Sequence, residues 1–182
     1  MGVKAAGRAS VTSLKMAVCA VALVTVGCGG NRAAQRAAED GRQQQEFQGR
    51  KAGETRIAGA AEIAAELGCG SSRPRAARLE RAEVLPVRPT AGREINHRFI
   101  YSACDLGPRP ITGILVRRLM LGRTTLVEEK VPMTLRPGRW AVDVFIGIPA
   151  GAQPSNSYAV EIRFDHPQAS LYDWKYFAIV AR

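Results

Sequence analysis

From about residue 78 onward the chain alternates apolar and polar residues with a period of two. In the clearest run, Tyr158, Val160, Ile162 and Phe164 interleave with Ala159, Glu161, Arg163 and Asp165, the pattern of a strand with one buried face. Trp140, Val142, Val144 and Ile146 alternate in the same way with Ala141, Asp143, Phe145 and Gly147, which places Trp140 on the core side. Leu79–Val87, Glu94–Ala103, Ile111–Leu121, Thr124–Val131 and Trp174–Val180 are further strand candidates. Turn signals separate them: Pro-Thr-Ala-Gly, Gly-Pro-Arg-Pro, Arg-Pro-Gly and Pro-Ala-Gly-Ala. About seven short strands with no helical pattern between them predict a mainly β domain over 78–182, an antiparallel sandwich.

The period differs on the N-terminal side. Ile57, Ala60, Ala61, Ala64 and Leu67 recur at helical spacing with Ile63 beside them, and Gly68 stands where a helix C-cap glycine belongs, predicting a short helix over 54–68. A linker over 69–77, containing Pro74, leads into the strands. Asn31 to Lys51 is rich in Gln and Arg and nearly free of large apolar residues. Such a segment buries too little surface to offset its ordering entropy, so 28–53 is expected to be a flexible tether with transient helix.

The first residues set the compartment. Met1 to Lys15 form a basic leader, and Met16 to Val26 form an apolar run of signal-peptide length, too short for a bilayer span of about 20 residues. The run ends in Thr25-Val26-Gly27-Cys28, which resembles the bacterial lipobox; Thr25 departs from it, because Leu is usual there. The resemblance implies a signal peptide over 1–27, removal of that segment, and lipidation of Cys28, with several acyl chains anchoring the protein where one would not. It also implies the cell envelope, with the outer membrane favoured over the inner because Gly29, rather than Asp, follows Cys28. Gly68-Cys69-Gly70 looks similar, but Glu62 and Glu66 upstream exclude an apolar signal core there.

Twenty-six Lys and Arg against 16 Asp and Glu, with a net charge of +10, would suggest nucleic acid for an intracellular domain. Export removes that reading, and the mature positives are interleaved with acids, as in Arg78, Glu80, Arg81 and Glu83. No nucleic-acid partner is expected. With Cys19 in the signal and Cys28 in the lipobox, Cys69 and Cys104 remain; in an oxidising compartment they are expected to pair, with free thiols or an intermolecular bridge as the alternatives. His97 alternates with apolar neighbours on a strand and His166 precedes Pro167 in a turn. No metal-ligand spacing, nucleophile elbow or phosphate-binding loop accompanies them. No cofactor, no metal and no enzymatic activity are expected. Glu128 and Glu129, adjacent on a strand, point to opposite faces and cannot share a site.

Leu135-Arg136-Pro137-Gly138-Arg139-Trp140-Ala141-Val142, and Pro149-Ala150-Gly151-Ala152 leading into Ser157-Tyr158-Ala159-Val160-Glu161, resemble the turn and strand-entry elements of fibronectin type III and related immunoglobulin-like domains. The resemblance implies architecture and no activity. The expected function is therefore presentation of an interaction domain to an envelope protein, with strand edges or the loops Asp105–Pro110 and Gln153–Ser157 as contact candidates. A glycan or lipid ligand is the alternative, which a concave patch of Trp140, Tyr172, Trp174 and Tyr176 would favour. The oligomeric state is not legible.

Overall fold

The structure is a computed structural model that describes residues 28–70, 76–105 and 110–181. The expected signal segment 1–27, most of the linker around Pro74 and the centre of the Asp105–Pro110 loop lie outside the described residues. Among those described, the order is α1 (Cys28–Gly49), β1 (Gly53–Ala58), α2 (Ala60–Leu67), β2 (Ala77–Leu85), β3 (Glu94–Ala103), β4 (Ile111–Leu121), β5 (Thr124–Leu135), β6 (Gly138–Gly147), β7 (Ser155–His166) and β8 (Ala169–Ile179).

The strands form two antiparallel sheets of four, ordered β1-β6-β3-β2 and β5-β4-β7-β8. Alternation decides what lies between them. Register pairs Tyr101, Phe99, His97 and Ile95 of β3 with Trp140, Val142, Val144 and Ile146 of β6, so these eight share the inner face of the first sheet. Leu115, Arg117 and Leu119 of β4 pair with Phe164, Ile162 and Val160 of β7 on the inner face of the second. The buried apolar residues form two clusters. One gathers Phe99, Tyr101, Val142, Leu115, Ile162 and Phe164; the other gathers Ile95, Ile146, Leu119, Val160, Tyr158 and Phe177. Between them lies a polar layer made by His97 and Arg117, 1% and 5% exposed.

Trp140 keeps its inward orientation but is only half-buried, packed at the rim of the first cluster. β5 runs on to Leu135 and β8 starts at Ala169, past the expected bounds, because Met133, Leu135 and Leu171 also find places in the core.

The N-terminal segment departs most from expectation. Residues 28–49 form a helix of 22 residues rather than a flexible tether: Ala, Gln, Glu and Arg favour helix, and its last turns gain tertiary contacts. The expected helix over 54–68 is divided. Gly53–Ala58 is instead a strand pairing antiparallel with β6, and only Ala60–Leu67 is helical. Glu54, Arg56 and Ala58 alternate with Thr55 and Ile57, so a period-two run overlaps the helical one; Ile57, assigned to the helix stripe, is 51% exposed on the strand. An eighth strand results. Gly138 opens β6 at φ +106°, and a Cβ there would stand 2.6 Å from the Ala58 carbonyl oxygen, so a side chain would push β1 away. Gly68 ends α2 in the left-handed conformation at φ 65°, its N–H bonded to the Ala64 carbonyl.

Candidate functional site

Three places concentrate chemistry: the socket of α1 on the first sheet, the outer face of the second sheet, and the polar layer between the sheets.

Gln43, Phe47 and Arg50 lie at helical spacing and bring the end of α1 onto the first sheet. The Gln43 side-chain carbonyl accepts a bond from the Val87 N–H at 3.1 Å, and Phe47 meets Phe145 edge-on at 5.5 Å between ring centroids. The Arg50 side chain is 2% exposed. It donates to Asn96 Oδ1 at 2.7 Å and to Glu83 Oε1 at 2.5 Å, pairs with Glu46, and lies 3.9 Å from Asp143. Arg98 donates to both Asp143 oxygens, and this bond raises the Arg98 pKa above its ordinary value against the opposing effect of burial. Arg81 pairs with Glu83. Three guanidinium groups thus face three carboxylates under the helix end, opposite charges paired where burial would otherwise leave them uncompensated. Nearby, α2 buries Ile63 completely, and Glu66 bridges Arg78 at 2.7 Å and Arg139 at 2.6 Å. Cys69, just past α2, is bonded to Cys104, just past β3, with Cα atoms 5.5 Å apart.

On the outer face of the second sheet, Tyr172, Trp174 and Tyr176 project from the same side of β8. Tyr172 and Tyr176 are 57% and 68% exposed, and the Trp174 and Tyr176 rings lie 5.9 Å apart. Trp140 is on the other sheet, facing inward under Arg136, so the four aromatics considered together do not form one patch. Beside the stripe, Arg118 donates to Glu128 and Glu161, while Ile114 is 49% exposed. Glu128 pairs with the outward Arg118 and Glu129 with the inward Arg117, on opposite faces as alternation requires. The Gln153–Ser157 loop is internally bonded through Ser155 Oγ, and its Gln153 carbonyl accepts the Tyr158 hydroxyl at 3.0 Å.

In the polar layer, neither ring nitrogen of His97 has a hydrogen-bond partner among the described residues. Burial first, then the positive charges of Arg117 and Lys175, push its pKa down to about 3. Arg117 bonds Glu129 through Nη1, its Nε has no partner among the described residues, and burial lowers its pKa despite the carboxylate. His97 lies on the buried strand face that its alternation with Ile95 and Phe99 predicts, whereas Arg117, buried opposite it, is not among the residues the pattern singles out. Its signal was Leu115-Val116-Arg117-Arg118-Leu119, where alternation requires one of two adjacent arginines to point inward. His166 accepts a bond from the Gln168 N–H in a turn. Among the described residues, no three His, Cys, Asp or Glu side chains converge as metal ligands, and no helix is long and apolar enough to cross a membrane.

No protein-family model matches the chain, and no curated protein matches it. Among solved structures it is similar to the sporulation control protein Spo0M from Bacillus subtilis, with 15% identity and a TM-score of 0.42. The match covers 59% of this chain and 50% of that one, so the chain spans about half the length of that neighbour.

Proposed function

We propose that this chain is a lipid-anchored, non-enzymatic protein of the bacterial cell envelope, favouring the outer membrane, whose immunoglobulin-like sandwich meets a protein partner. The observation that carries the reading is Thr25-Val26-Gly27-Cys28 closing an apolar run behind a basic leader. The acceptor residue is also the first residue of α1. At 1.5 Å per residue, the 22-residue helix measures about 33 Å, and its far end is fastened to the first sheet by Phe47 and Arg50. It thereby works as a stalk that fixes the domain's distance from the lipid.

Two features support the immunoglobulin-like assignment. With β2, β3, β4, β5, β6, β7 and β8 in the roles A, B, C, C′, E, F and G, the sheets read A-B-E and C′-C-F-G, the arrangement of such domains. β1 then takes the place of strand D beside β6. Tyr158, near the start of the F-like β7, donates its hydroxyl to a carbonyl five residues upstream, as in a tyrosine corner. The face proposed for the partner is the outer surface of the second sheet, where exposed Tyr172 and Tyr176 flank Trp174; aromatic residues of this kind anchor interfaces. A glycan is the second reading for that face, favoured by the same stripe.

Palmitate labelling of wild type and Cys28→Ala in a bacterial host tests the anchor. Label on wild type alone is expected, and equal label, or none on either, defeats it. Tyr176→Ala is expected to lose a co-purifying membrane protein without losing the label. Loss of retention on a glycan array, with the protein partner kept, would instead favour the glycan.

A further inference from the structure

The two sheets do not close evenly along the β5 edge. The inward positions of β5 are buried at Leu135 and Met133, half-buried at Val131, and exposed at Glu129 and Val127. On the facing sheet, β1 covers β6 only from Arg139 to Asp143, leaving residues 144–147 without a neighbouring strand on that side among the described residues. Between these edges lies a crevice of about 280 Å³. Leu119, Val127, Phe145 and Ile146 form its apolar walls, and Arg117 and Glu129 its polar part.

Arg117 is 5% exposed, yet among the described residues its Nε–H has no acceptor and its carboxylate partner is Glu129, 46% exposed. A guanidinium presents five N–H donors in a fixed fork, and burying it without acceptors costs free energy. Glu129 therefore marks where a carboxylate sits and, being half in water, can leave. We propose that the crevice between β5 and β6 is a binding site for a small monocarboxylate with an apolar tail, the head bonded to Arg117 in place of Glu129 and the tail against Leu119, Val127 and Ile146. The volume lies just below the usual range of ligand sites, which suits a ligand no larger than a medium-chain fatty acid and excludes a folded partner. The site holds this ligand whether or not Cys28 is acylated.

Octanoate titrated into the full chain tests the assignment, with the Arg117 Nε–Hε NMR signal as readout and 1-octanol as the uncharged control. Saturable movement of that signal with octanoate, and at least about tenfold weaker binding of octanol, is expected. Val127→Trp, which fills the mouth from an exposed edge position, should abolish the response with the circular dichroism spectrum unchanged. Glu129→Gln removes the competing carboxylate and should tighten octanoate binding several-fold. An Arg117 signal unmoved at about 10 mM octanoate, an equal response to octanol, or a Glu129→Gln variant that binds no more tightly would each overturn the site.

Discussion

His97 sits between the two apolar clusters with both ring nitrogens unpartnered among the described residues, so the fold holds it neutral. Its pKa falls from an ordinary 6.5 to about 3. Above pH 6.5 the ring is neutral in both folded and unfolded chains and contributes no pH dependence. As the pH drops below that value only the unfolded chain gains a proton, so folded stability is lost at about 1.4 kcal/mol per pH unit until the folded ring also titrates. Denaturant unfolding at pH 7.0, 5.5 and 4.5 should show this slope in wild type. In His97→Phe it should be shallower by about that amount, because carboxylate contributions are common to both; parallel slopes would mean that the buried imidazole does not govern the acid limb. The alternation of His97 with Ile95 and Phe99 made its burial legible. What it faces was not, because Arg117 and Lys175 approach from the opposite sheet, which no local pattern encodes.

The strands legible in the sequence are those whose apolar face meets the core: β7 alternates cleanly, β3, β4 and β6 have a full set of inward partners, and β2, β5 and β8 overlap their expected ranges with shifted ends. α1 and β1 are held differently. α1 has one large apolar contact residue, Phe47, and depends on Arg50 reaching a pocket built by Asn96, Glu83 and Asp143; no hydrophobic period announces a helix docked by a guanidinium. β1 is an edge strand with mostly exposed side chains, held chiefly by main-chain pairing with β6, so its sequence is compatible with either period. Arg50→Ala therefore tests the socket. Asp143 keeps Arg98 and Glu83 keeps Arg81, so the cost belongs near the lower end for a broken buried pair, about 3 kcal/mol. Hydrogen exchange should show loss of protection over residues 40–50 with β3 and β7 unchanged. Uniform loss across the domain would instead mean that the helix end is part of the core's stability.

At the scale of the whole molecule, the disulfide joins the N-terminal segment to the far end of β3, closing a loop with a sequence separation of 35. In the chain-entropy picture such a crosslink contributes about 3 to 4 kcal/mol. The Cys69→Ser, Cys104→Ser double variant should lose about that much in denaturant unfolding, and no loss would mean that the loop is already ordered in the unfolded chain. The same crosslink has a mechanical meaning. Under the proposed anchor, a pull entering at residue 28 travels along α1 and loads the Phe47 and Arg50 contacts first. It then reaches β1, which among the described residues is bonded on one side only and can peel from β6 a few bonds at a time. Cys69 is the stop: beyond it the load passes covalently to β3 in the middle of the first sheet. With such an anchor, the α1 stalk would set the resting distance, and only a load that breaks its contacts would pay out the chain ahead of residue 69 as a shock absorber while the two-sheet body keeps its shape.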